Sequence, residues 1–136
     1  MRNWFIAILV TLALCVQAMA EDTSIGVTPA EMKWKDNGDG SRTVILDGDP
    51  SGNGTYVLRI QAPPNHTTQP HTHPQAENIT VISGWLGFGL GTVFDRSKGR
   101  VLPAGSFFHL PANTPHFGWT GPEGVVIQAH GNGPFP

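Results

Sequence analysis

The sequence predicts an all-β domain, a sandwich or small barrel of short strands. Three features lead there. Seventeen glycines and twelve prolines punctuate 136 residues, so the apolar runs are cut to strand length. Long helical apolar patterns are absent. The turn signals also follow one another too closely for crossover helices between parallel strands.

Residues 1–20 stand apart. Arg2 precedes an almost wholly apolar run from Trp4 to Val16, and Ala18-Met19-Ala20 follows with small residues at cleavage spacing. This reads as a secretory signal peptide cut after Ala20, with the product periplasmic or secreted. The run is short for a bilayer span. Cys15 is the only cysteine and lies within the signal. It follows Leu14, not the small residue a lipoprotein signal wants. Residues 21–136, a length that suits one domain, therefore carry no disulfide and no thiolate metal site. Losing Arg2 leaves 7 basic against 10 acidic residues, 7 − 10 = −3. Without a basic cluster, a nucleic-acid partner is not expected. No second apolar run is fit to cross a membrane.

In chain order, residues 21–40 are mixed and polar, anchored by Trp34. Strands are expected at Thr43–Leu46 and Thr55–Gln61, separated by the turn-rich loop Leu46–Gly54. Ala62–Pro74 is a loop with four prolines, and its last part can join a sheet edge. Glu77–Gly84 is a strand ending in a turn, and Trp85–Phe94 returns as the next. Its glycines 87, 89 and 91 share one face, a sign of close backbone approach or a crowded interior. Asp95–Arg100 is a turn. Short strands follow at Arg100–Leu102, Ser106–Pro111, His116–Trp119 and Val125–His130, the last two separated by a turn at 121–124.

Chemistry concentrates in QPHTHPQAENITVISG, Gln69–Gly84. On extended backbone, residues i and i+2 point to one side, so His71 and His73 can aim two imidazoles into one cavity. Pro70 and Pro74 restrict the backbone around them. Glu77 follows after a short kink. Two imidazoles and a carboxylate suit a divalent first-row metal. The plain alternative is that His and Glu stand near one another in a loop with no ligand role.

A second stretch, GSFFHLPANTPHFGWT from Gly105 to Thr120, bears on that choice. His71, His73, Glu77 and Gly84 match the spacing of the first motif of the cupin superfamily. Gly105, Pro111 and His116 match the second, with Asn113 in place of a glycine and Thr120 in place of the closing asparagine. Asn tolerates the left-handed turn that glycine serves. The chain thus resembles a cupin, with LDGDP (46–50), TYVLRIQAPPN (55–65) and HGNGPF (130–135) similar to a group of small single-domain cupins, many exported. The resemblance implies a double-stranded β-helix, a jelly-roll barrel, over residues 21–136. It implies metal ligands His71, His73, Glu77 and His116 around one divalent transition metal per chain, Fe, Mn, Zn, Cu or Ni. It also implies pairing of subunits into a homodimer.

Two functions are open at this point. One is a metal-dependent enzyme on a small oxygenated organic substrate, by fold analogy a dioxygenase. Glu77 would serve as base if loosely bound, and His109 as a further acid–base group if its strand turns it inward. The other is a non-catalytic protein that binds a metal or a small ligand. His66 and His130 are not expected to act directly, and Arg59 is expected on an outer face.

Overall fold

The structure is a computed structural model and describes residues 25–135. The expected signal segment and Cys15 lie outside the described residues. A 3-10 turn at Pro29–Glu31 precedes eight strands: β1 (Lys35–Asp36), β2 (Arg42–Gly48), β3 (Thr55–Ala62), β4 (Thr67–His71), β5 (Glu77–Leu90), β6 (Arg100–Pro103), β7 (Phe107–Leu110) and β8 (His116–Asn132). A second 3-10 turn, Arg96–Lys98, joins β5 to β6. Asp95 caps it by accepting from the Ser97 amide at 3.0 Å.

The two longest strands depart from expectation. Glu77–Gly84 and Trp85–Phe94 do not form a hairpin; they run on as the 14-residue β5. His116–Trp119 and Val125–His130 merge into the 17-residue β8. The reason lies in two glycines. Gly84 (φ +70°) and Gly124 (φ +71°) both adopt the left-handed region, and a Cβ on Gly84 would stand 2.2 Å from the Gly124 carbonyl oxygen. The β5–β8 register shifts between Val81 and Ser83 and between Gly84 and Leu86. Glycine here bends two paired strands together at bulges and reverses neither.

The sheet also differs from the jelly-roll barrel implied by the resemblance. Every pairing among the described residues is antiparallel. The path runs β1-β2-β3-β8-β5-β6, with β4 added on β8 and β7 on β5. Its ends do not meet, so this is an open, all-β sheet of the cupin type and not a closed barrel. Closure requires every strand to be paired on both edges. Each long strand instead serves different partners along its length. β5 takes β7 at Glu77–Thr80 and β6 at Trp85–Phe88; β8 takes β4 at residues 116–119 and β3 at residues 125–132. That leaves β1, β4, β6 and β7 with one partner each.

Alternation divides the side chains. Tyr56, Leu58, Ile79 and Ala129 form a buried cluster, continued by Val81, Leu102 and Val125. Arg59 falls on the other side, where its Nε donates to Gln128 Oε1 at 3.1 Å, in line with the outer face expected for it. In the second half of β5, Leu86 and Phe88 face inward while Gly87 and Gly89 face Trp119 and Phe117. A Cβ on Gly87 would lie 1.9 Å from Trp119 Cε2, and one on Gly89 2.2 Å from Phe117 Cζ. The bare glycine face is what lets these rings lie against the strand.

Candidate metal centre

His71 ends β4 and His116 begins β8, and the two pair directly in register. His73 follows two residues after His71. The ligating nitrogens of His71, His73 and His116 all lie within 4.8 Å of one another. Ring centroids are 4.2 Å apart for His71–His116, 4.8 Å for His71–His73 and 5.1 Å for His73–His116.

Hydrogen bonds set the tautomers. His71 Nδ1 lies 2.8 Å from the Gln69 carbonyl oxygen, and His116 Nδ1 lies 2.9 Å from that of Thr114. A carbonyl only accepts, so each Nδ1 carries the proton and each Nε2 is left with a lone pair. His73 Nε2 stands 3.2 Å from His71 Nε2, and its Nδ1 is buried without a hydrogen-bond partner. The ring of His73 is held by stacking on Phe135, at 5.0 Å and 22°. Nitrogen lone pairs at this separation call for a proton or a cation between them. Burial, then the neighbouring His71 and His116, lowers His73 to about 4. Burial likewise lowers His116. These rings are therefore neutral near pH 7, the state in which imidazole binds metal. The donor set fits a divalent first-row ion.

Glu77, the first residue of β5, is 3% exposed. Its Oε2 lies 3.8 Å from His73 Nε2, while the set whose ligating atoms all lie within 4.8 Å of one another holds the three histidines without it. Burial pushes its carboxyl up to about 7. Tyr56 is raised to about 12, first by burial and then by the charge of Glu77. A divalent cation beside Glu77 would act in the opposite sense and favour the carboxylate.

His109 is elsewhere. It pairs with Asn78 in the β5–β7 register, and its Nδ1 lies 2.9 Å from Asn78 Oδ1. Asn78 alternates with Glu77, so His109 is exposed on the face away from the triad. Asn113 adopts φ +58°, the left-handed conformation expected of it, and its amide donates to the His73 carbonyl at 2.7 Å.

The triad and Glu77 stand at one end of a cavity of about 230 Å³. Ile79, Leu86, Phe88, Phe108 and Ile127 line it with apolar surface, and Asp39, Ser41, His66 and Thr120 line it as well, with Thr120 four residues along β8 from His116 and bonded to His66. Two contributors escape a reading of the sequence. Phe135 reaches His73 through a tail segment tied down by its amide, which donates to the Pro50 carbonyl at 2.7 Å. His66 reaches the cavity through Thr120, and the one sequence signal for this was a hydrogen-bonding residue at the position where the motif closes.

A model of the ChrR cupin-like domain matches residues 22–136. Among curated proteins, the chain is similar to germin-like protein 5-1 of Oryza sativa subsp. japonica, 34% identical over 65 residues, which is 47% of this chain and 29% of that protein. It is similar to the rhicadhesin receptor of Pisum sativum, 31% identical over 88 residues, 61% of this chain and 39% of that protein. The chain thus spans well under half the length of the curated relatives it matches. The structure of the polyketide cyclase RemF from Streptomyces resistomycificus is similar in fold, with a TM-score of 0.63 at 22% identity over 77% of this chain and 76% of that one.

Proposed function

The chain belongs to the ChrR cupin-like domain family, and from that premise we propose that it is a metal-dependent enzyme acting on a small oxygenated organic molecule. One observation carries the reading. Three imidazoles, two with tautomers set by backbone carbonyls, converge at the head of a cavity whose middle is apolar. His71, His73 and His116 hold the ion, one per chain, and Glu77 is assigned as fourth ligand. A bound divalent ion supplies Lewis-acid polarisation of a substrate oxygen, or redox chemistry toward dioxygen where the metal is iron, manganese or copper. Beside a bound cation Glu77 is kept as the carboxylate, which would accept a proton from a substrate atom where its bond to the metal is loose. The Phe88 ring lies 5.8 Å from that of His116 and 4.4 Å from that of Phe108, so apolar surface adjoins the triad.

Oxygenation of an enol, dicarbonyl or phenolic compound is the redox form of this reading. The polyketide cyclase similar in fold acts, by its name, on polyketides, which adds polyoxygenated carbon skeletons to the substrates worth trying. Export after cleavage behind Ala20 belongs to the same proposal. The second reading, a non-catalytic metal or ligand binder, draws on the orientation of His109. With that ring turned outward, Glu77 is the acid–base group left beside the triad.

The test is a panel of enols, 1,3-dicarbonyls and catechols offered in air to protein reconstituted with each candidate metal. Oxygen uptake and product mass are followed. The enzyme reading expects turnover in wild type that is lost in His116→Ala. Saturable binding with no product across the panel would favour the binder.

A further inference from the structure

The cavity has a second polar end, which the metal motifs do not include. We propose that this end, built from His66 and Asp39, receives a neutral hydroxyl or amide tail of the ligand whose oxygen head meets the histidine triad. The head of that ligand rests on the metal reading above; the tail site does not.

The backbone of His66 is fastened to β8 from both sides. Its amide donates to Thr120 Oγ1 at 2.8 Å, and its carbonyl accepts from the Thr120 amide at 3.0 Å. Thr120 Oγ1 in turn donates to the Pro63 carbonyl at 2.7 Å. The ring is oriented by Asp39, whose Oδ2 lies 3.6 Å from His66 Nε2, an electrostatic contact and not a hydrogen bond. Asp39 is itself held through Oδ1, which accepts from the Ser41 hydroxyl at 2.6 Å and the Ser41 amide at 2.9 Å. Those bonds, and then His66, keep its carboxyl below the usual range, so it stays anionic. The His66 side chain is 15% exposed and lines the cavity, and its Nδ1 has no hydrogen-bond partner among the described residues. That nitrogen is not among the fully buried unpartnered atoms, so solvent reaches it and a polar ligand group can take the place of water there.

The space between the two ends specifies the rest. His116, Gly118 and Thr120 share the inner face of β8. At about 3.4 Å per residue, the ends are about 14 Å apart along the strand. Gly118 offers no side chain between them. Beside them on the adjoining strand stand Leu86, paired with Thr120, and Phe88, paired with Gly118. The ligand class is therefore elongated: a chelating oxygen head, an apolar middle and a polar tail. Asp39 beside His66 repels an anionic tail. A hydroxyl both donates and accepts, so it satisfies Nδ1 whether or not the ring carries a second proton.

The test uses octanohydroxamic acid, its 8-hydroxy analogue and suberic acid monohydroxamate, titrated calorimetrically into zinc-reconstituted protein. The head and chain are constant, and only the tail changes. One added hydrogen bond predicts about five- to tenfold tighter binding of the hydroxyl probe than of the methyl probe, and weaker binding of the carboxylate probe. His66→Phe keeps the ring shape and should erase the hydroxyl preference with metal content unchanged. Asp39→Asn should relieve the penalty on the carboxylate. A parallel measurement needs no metal: 1-octanol added to chelator-treated protein should move the His66 ring resonances in NMR. Absence of a hydroxyl preference together with a still His66 ring, or a preference that survives His66→Phe, overturns the tail site. A His66 ring that responds to octanol in protein that neither holds zinc nor binds any hydroxamate upholds the tail site and overturns the metal reading alone.

Discussion

Replacing Glu77 by Gln in metal-free protein should raise stability above neutral pH. Glu77 is 3% exposed, and burial moves its carboxyl from 4.5 to about 7. A group whose folded pKa lies above its unfolded value favours the folded state fully below the unfolded pKa. That contribution is lost as pH rises through the folded pKa. The window is therefore about pH 4.5 to 7. A span of 7 − 4.5 = 2.5 pH units at about 1.4 kcal/mol each corresponds to about 3 kcal/mol. His73 works in the other direction. Burial lowers it from 6.5 to about 4, so its contribution is present above 6.5 and lost as pH falls toward 4. The two trends oppose each other across their overlap, and the wild-type curve alone is a poor readout. The difference between Glu77→Gln and wild type isolates Glu77. It should move in the variant's favour by about 3 kcal/mol from pH 4.5 to 7 and then level off. Urea unfolding in the presence of chelator, at half-unit pH steps, measures it. A difference that stays constant from pH 4.5 to 8 would refute the buried-acid account. Saturating zinc should reverse the order at pH 8, because a cation beside Glu77 favours the carboxylate that Gln cannot supply.

Further outcomes follow from the fold and the N-terminus. Gly87→Ala drives a Cβ toward a rigid indole, 1.9 Å from Trp119 Cε2, and should cost about 1–3 kcal/mol by overpacking; an unchanged melting temperature would contradict the packing described. Cleavage after Ala20 predicts an exported chain whose intact mass starts at Glu21, and a species retaining Cys15 would count against it. Strands β1, β4, β6 and β7 each keep an edge without a partner among the described residues, and β6 and β7 expose Val101 and Phe107 at 53% and 59%. Such edges need cover, so a dimer is expected by light scattering; a monomer mass over a tenfold range of concentration would exclude it.

The triad was legible because its geometry is local. His71 and His73 are two residues apart at and just past the end of β4, and only His116 had to be brought from a distance, by a second motif at recognisable spacing. Asn113 was legible for a similar reason, since few residues besides glycine tolerate its backbone angle. What failed depended on pairing. Gly84 and Gly124 look like turn residues one at a time, and only their contact across β5 and β8 shows that they bend a ladder. Whether β5 and β8 close a barrel depends on which partners meet which half of each strand, and residue patterns do not encode that. The orientation of His109 is one-in-two from alternation and is decided by its register against Asn78. His66 and Phe135 join the cavity through bonds to Thr120 and Pro50, contacts more than fifty positions away in the chain.

The central claim is that three histidines from two motifs hold one metal. Elemental analysis of wild type, His116→Ala and His109→Ala, purified side by side from the native compartment at matched concentration, tests it directly. The account predicts about one divalent transition ion per chain in wild type and in His109→Ala, as a transition-metal site of this donor set requires, with occupancy sharply reduced in His116→Ala. Equal metal content in wild type and His116→Ala would contradict it.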